Sequence, residues 1–316
     1  VPDAPGVPAV LAAAGLSPGD VAAHEPLTGG TYNGVHRVLL TDGTRLVLKI
    51  PPGPGTPAMT YERGLLTGEA VFFHETAAHA AAPVPRVVTA GEGFLLMTEC
   101  PGTPWSAAGE SLTPGSRAAL RRELGATVAR LHRITGPRFG YPGGAVKAAD
   151  DWRGTFTAML DAALADAERY GADLPVSPAA IRATAAAASP ALDAVTVPAL
   201  VHFDLWEGNV LLHEGRIGAL IDGERMFWGD PLADFASLTL LSPPEPDADL
   251  LAGYAAAGGD VDLDAPARTR MAFYRAYLYL IMLVEGIPRA SPPAHLEWAR
   301  REVTPHLLAA LDVLAA

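Results

Sequence analysis

The sequence predicts an α+β chain of two lobes: a small antiparallel sheet with one helix, then a larger and mostly helical lobe. Three observations carry this reading. The 316 residues exceed what one hydrophobic core usually organises. The first hundred residues alternate short β-type runs with glycine- and proline-rich turns. After "CPGTP" (100–104) apolar residues recur at helical spacing instead. The expected division is therefore 1–100 and 101–316, with a hinge near 100–104.

In chain order, residues 27–50 read as strand, turn, strand. "GVHRVLLTDGTRLVLKI" turns at Asp42-Gly43, a pair that tolerates the positive φ of a tight hairpin. "PPGPGTP" (51–57) interrupts the chain, and residues 61–80 read as a helix that stops before Pro83. "RVVTA" and "GFLLMTE" are two further strands around "GEG". In the second lobe, "RAALRRELGATVARLHRI" sets Leu120, Leu124, Val128 and Leu131 on one helical face, with basic residues outside. Residues 155–170, 178–190, 269–286 and 295–315 are also expected to be helical. Segment 241–266 carries Glu245, Asp247, Asp249, Asp260, Asp262 and Asp264 with no basic residue, and is read as a solvated loop. "DVDLDAPARTRM" lacks the turn glycine and closing glutamate of a calcium loop, so no metal is assigned there.

Composition narrows the function classes. A hydrophobic fraction of 49 % against 18 % charged residues supports a large core and excludes disorder. A net charge of -12 argues against nucleic acid as partner, because phosphate backbones need clustered Lys and Arg. The negative charge is spread evenly over both lobes, so it singles out no cationic ligand. The lone Cys100 permits neither an intramolecular disulfide nor a thiolate metal cluster. The N-terminal stretch lacks a signal peptide's basic region, and "YLYLIMLV" (277–284) is too short to span a bilayer. A cytoplasmic protein without a membrane partner, monomeric or weakly dimeric, is expected.

The chemistry concentrates in "LVHFDLWEGNVLLHEGRIGALIDGE" (200–224). Apolar segments flank a loop with Asp204 and Asn209, and a third apolar segment runs into Asp222. Polar groups between strands are costly to bury without partners. Phosphoryl transfer from a nucleotide would supply those partners. It needs a carboxylate to orient the attacking hydroxyl and hard oxygen ligands for Mg²⁺. Asp204 suits the first role, Asn209 and Asp222 the second. Upstream, "LTGGTYNGV" (27–35) is a Gly-rich turn able to bring Gly29, Gly30, Thr31 and Asn33 close to phosphate. On "RLVLKI", Val47 and Lys49 share one face, suited to an adenine and a phosphate respectively. Glu69 is the chosen partner for Lys49 over Glu62 and Glu75, while Glu99, Cys100 and Gly102 suit a linker whose backbone reads a base edge.

These motifs, in this order over residues 25–240, resemble the aminoglycoside phosphotransferase and choline kinase-like branch of the protein-kinase-like fold. "VHFDLWEGNVLL" and "LIDGERMFWGDPLADFA" are the specific pieces; "LVLKI", "FLLMTECPG" and "LGATVARLH" support them. The resemblance implies a nucleotide-binding first lobe, a catalytic and substrate-binding second lobe, ATP or GTP with Mg²⁺, and a hydroxyl-bearing small-molecule acceptor. It implies that Asp204 is catalytic, that Asn209 and Asp222 bind the metal, and that Lys49 pairs with Glu69. His202, Asp230 and Asp234 resemble the family's structural loop residues. An antibiotic acceptor, aminoglycoside or similar, is expected, and Glu207, Glu224, Asp151, Trp152 and Glu285 are candidates to face it. One departure stands out: Phe203 replaces the glycine usual after the histidine, which should alter loop packing without removing a reacting group. "DLWEGN" also resembles ketosamine (fructosamine-type) kinases, so a metabolic ketosamine or choline-like kinase is the alternative. A metal phosphohydrolase using His202 and Asp204 would need further His and Asp clusters. A nucleotide-binding pseudokinase would lack one of the three key side chains, yet all are present.

Overall fold

The computed structural model describes residues 6–27, 32–243, 247–260 and 262–316. Strands β1 (Val21–Pro26), β2 (Gly34–Leu40), β3 (Arg45–Ile50), β4 (Val87–Gly91) and β5 (Phe94–Thr98) form one antiparallel sheet, ordered β1-β2-β3-β5-β4. The β2–β3 hairpin turns at Asp42-Gly43, where Gly43 takes φ +87° as expected. Alternation divides the strands: Val38, Leu46, Leu48 and Leu96 form a small core with Val10 and Leu11 of helix α1 (Val7–Ala13), and Lys49 faces the other way. On that other side packs α2 (Leu65–Ala78), through Phe72 and Phe73. The helix expected over 61–80 is shorter, because Gly64 at φ +83° separates a 3₁₀ turn, Thr60–Glu62, from α2.

The second lobe opens with β6 (Thr103–Pro104), α3 (Trp105–Ala108) and α4 (Pro114–Leu131). Then come α5 (Trp152–Arg169), α6 (Pro178–Ala188), β7 (Ala199–Val201), β8 (Val210–His213), β9 (Arg216–Leu220) and β10 (Phe227–Gly229). Helices α7 (Asp234–Leu238), α8 (Ala248–Ala256), α9 (Ala265–Val284) and α10 (Pro293–Ala315) complete it. β7 pairs with β10, and β6, β8 and β9 form a three-stranded sheet. These short ladders hold the ends of the 202–209 and 222–226 loops. One large hydrophobic cluster joins Phe72 and Leu95 of the first lobe to Phe203, Phe227 and Tyr277 of the second.

The solvated-loop reading of 241–266 is corrected over 248–256. Asp247 caps α8 through the Leu250 amide at 2.7 Å, and Leu250 and Tyr254 are buried. Asp264 likewise caps α9, accepting from the Ala267 amide at 2.8 Å, so this acid is structural. No helix among the described residues is long and apolar enough to cross a membrane.

Candidate active site

The loop after β7 is held from beneath. Asp234, fully buried at the start of α7, accepts hydrogen bonds from the amides of His202 (3.3 Å) and Phe203 (2.7 Å). His132 Nε2 approaches the same carboxylate at 3.0 Å, and Ser237 Oγ accepts from the Leu205 amide at 2.9 Å. The Asp204 amide donates to His202 Nδ1 (3.2 Å), which fixes the tautomer in which Nε2–H donates to the Ile221 carbonyl (2.9 Å). One imidazole thus joins the 202–209 loop to the segment bearing Asp222. Phe203 adopts φ +63°, the left-handed region that favours glycine.

Asp204, Asn209 and Asp222 face one cleft. Asn209 Nδ2 donates to the Asp204 backbone carbonyl (2.8 Å) and to its carboxylate (3.2 Å). Arg225 Nε lies 3.8 Å from the same carboxylate. Asp222, at φ +56°, leaves β9 with its carboxylate 41 % exposed and 2.6 Å from Lys49 Nζ. Lys49 also meets Glu69 at 2.7 Å and Glu224 at 3.7 Å. Burial opposes the Lys49 charge, but these three carboxylates hold its pKa above the ordinary value, so it remains a cation. Burial also works against Asp222, where the adjacent ammonium prevails and lowers the pKa. At Asp204 burial prevails over Arg225 and raises the carboxyl's pKa, and Glu224 and Glu69 are raised chiefly by burial too.

The cleft, of 1610 Å³, is lined by Asn33, Val47, Lys49, Glu99, Cys100, Asp204, Glu207, Asn209, Asp222, Glu224 and Glu285 among others. Glu69 stands fully buried behind Lys49. Asn33 Nδ2 donates to Glu224 at 2.7 Å, tying the end of the Gly-rich turn to the Asp222 segment. Gly29, Gly30 and Thr31 lie outside the described residues. The Glu99 amide donates to the Arg45 carbonyl (3.1 Å) and its Oε1 accepts from Arg37 (2.7 Å), while its buried Oε2 has no hydrogen-bond partner among the described residues.

Asp151 and Trp152 do not border the cleft, contrary to expectation. Asp151 caps α5 through the Gly154 amide, and Trp152 is fully buried with its Nε1–H donating to Tyr274 at 2.8 Å. A large aromatic next to an acid looks like a ligand platform in sequence, but here the core claims the ring. Conversely, Arg225, Arg289 and Tyr61 escaped sequence reasoning, and Glu62 was weighed only as a partner for Lys49. Arg225 donates to Glu285 at 3.0 Å, Tyr61 donates to Glu285 at 3.0 Å, and Arg289 binds both Glu285 and Glu62. The only available signal was the basic residue three positions after Asp222.

No cluster of three or more His, Cys, Asp or Glu side chains suited to a metal occurs among the described residues. A site that draws one carboxylate and one amide from the protein, and its remaining oxygens from phosphate and water, needs none.

A model of the phosphotransferase enzyme family matches residues 23–274. No match is found among the curated proteins. Several solved structures share the fold. A candidate fructosamine-3-kinase from Thermobifida fusca YX-ER1 is 23 % identical with a TM-score of 0.69, covering 97 % of this chain and 100 % of its own. Macrolide 2'-phosphotransferase MphH from Brachybacterium faecium is 22 % identical with a TM-score of 0.57, covering 95 % and 99 %. The aminoglycoside phosphotransferase APH(4)-Ia, solved with AMP-PNP and hygromycin B, is 18 % identical with a TM-score of 0.62, covering 98 % and 99 %. With this kinase-like fold and a match over most of its length, the chain belongs to the phosphotransferase enzyme family.

Proposed function

We propose that this small-molecule phosphotransferase moves the γ-phosphoryl group of ATP or GTP onto a hydroxyl of an antibiotic, an aminoglycoside or similar acceptor, and so acts as a resistance enzyme. The observation that carries the reaction is the convergence of Lys49, Asp204, Asn209 and Asp222 on one cleft. Asp204 orients the acceptor hydroxyl and takes its proton as the oxygen bonds to the γ-phosphorus and the bond to the β-phosphate oxygen breaks. The upward shift of its carboxyl makes it a better base than an exposed aspartate. Lys49, held by Glu69, places a fixed positive charge where nucleotide phosphates would lie. Most of the rate follows from positioning and charge neutralisation.

The residues present fit a divalent cation. The Asp222 carboxylate, whose pKa the Lys49 ammonium lowers, stays partly exposed to the cleft. Asn209 spends its Nδ2 on Asp204, so its oxygen is the donor available to a cation. Asn209 and Asp222 would hold Mg²⁺, which when bound neutralises phosphate charge.

Two variants test the assignment with a nucleotide-turnover assay. Asp204→Asn should lower kcat by about 10²–10⁴-fold with thermal stability retained. Asp222→Ala should abolish turnover, and full Mg²⁺-dependent activity in that variant would refute the metal role. A ketosamine acceptor is the second reading, supported by "DLWEGN" and by Trp206 exposed at the cleft beside Asp204. Turnover of a fructosamine together with failure to protect a sensitive host from antibiotics would favour it.

A further inference from the structure

The acceptor end of the cleft is the part that sequence motifs describe least. It extends from Asp204 across the exit of α7, the start of α8 and the facing sides of α9 and α10. Beyond Asp204, four carboxylates among the described residues line it, and each is already engaged by an arginine. Glu207 meets Arg117 at 3.0 Å, Asp247 meets Arg121 at 2.6 Å, and Asp249 meets Arg122 at 2.5 Å. Glu285 meets both Arg225 and Arg289 at 3.0 Å. Between these pairs the wall is apolar: Leu240, Leu241, Leu278, Met282 and Trp298 all line the cleft.

We propose that this end selects a hydroxyl-bearing acceptor with an apolar body and at most one positive charge, rather than a polycation. The inference rests on the phosphotransferase reading above, keeps its antibiotic hydroxyl acceptor, and replaces the polycationic aminoglycoside with a less charged molecule. A polycationic acceptor loses hydration at every ammonium it buries, and only an uncompensated carboxylate repays that loss. Here arginines already neutralise those acids at 2.5 to 3.0 Å, so an added ammonium gains less from each of them. An apolar body gains from Leu240, Met282 and Trp298 at no such cost. The wall therefore discriminates by what it leaves unpaired as much as by what it contacts.

The test uses the full-length chain with ATP or GTP and Mg²⁺, offering a macrolide, gentamicin and a fructosamine as alternative acceptors. The macrolide should show the highest kcat/KM, by at least about tenfold over gentamicin. Its equilibrium binding should change little between low and high sodium chloride, since apolar contact is not screened. Met282→Glu, on a half-buried side chain, should raise KM for the macrolide and improve gentamicin turnover, with folding checked by circular dichroism. If that variant does not fold, the salt dependence of wild-type binding decides the same point. Preference for gentamicin or the fructosamine would overturn this inference while leaving the phosphotransferase reading intact. Absence of acceptor-dependent turnover with all three would overturn both.

Discussion

Phe203 sits in a backbone conformation that its own side chain disfavours. A left-handed φ costs a non-glycine residue about 1–2 kcal/mol. Against this, the ring is fully buried, 5.0 Å from Phe227 and 5.7 Å from Tyr277 between centroids. Removing a buried phenylalanine ring costs about 3–5 kcal/mol. Burial outweighs strain, so Phe203→Gly should lower stability by about 2 kcal/mol in urea denaturation. A variant more stable than the parent would show that strain dominates. The sequence made the substitution visible as a change of loop packing that removes no reacting group, which is where the ring is found. It did not disclose the compensation, because Phe227 and Tyr277 reach Phe203 only in the folded chain. Trp152 failed for the same reason in reverse: its neighbours in sequence suggested a cleft, and its neighbours in space are core aromatics.

At the scale of elements, α4 and α8 meet where two glycines let the backbones touch. A Cβ on Gly253 would lie 1.9 Å from the Arg122 carbonyl oxygen, and one on Gly125 would lie 2.0 Å from that of Leu250. Both obstructions are backbone atoms, which no rotamer change can relieve. Gly253→Ala should therefore destabilise by about 1–3 kcal/mol, or more where the helices must part, and thermal melting should show the drop. An unchanged melting temperature would mean that the helices slide freely. This pairing explains why α8 was not legible. Its nine residues are flanked by acids and contain a glycine that lowers intrinsic helicity, so local signals favour a loop. The longer helices α4, α9 and α10 were legible, because their apolar residues repeat over several turns.

Across the whole molecule, one buried polar chain ties the lobes together beside the site. Glu62 and Tyr61 come from the first lobe, Glu285 and Arg289 from the end of α9 and its following loop, and Arg225 from the Asp222 segment. Burial works against ionised Glu285, but Arg225 and Arg289 prevail and hold its carboxyl below the ordinary value. A depressed folded-state pKa contributes stability above the unfolded value of about 4.3 and loses it as pH falls through the folded value. Glu285→Gln should thus be less stable than the parent at neutral pH, with the difference shrinking below about pH 4. Thermal melts of both proteins across pH measure this, and a gap independent of pH would remove the charge explanation.

The sequence by itself determined the two-lobed α+β class and singled out Lys49, Asp204, Asn209 and Asp222, which the fold brings to one cleft. Both are written in local terms, as strand and helix periodicity and as short loops bounded by apolar runs. Only the tertiary structure decided which amides Asp234 holds beneath the loop, that α8 exists, and that Glu207, Asp247, Asp249 and Glu285 are bound by arginines. Those outcomes depend on partners far apart in the chain, and the cost of burying an unpaired charge or leaving a void is set by them alone.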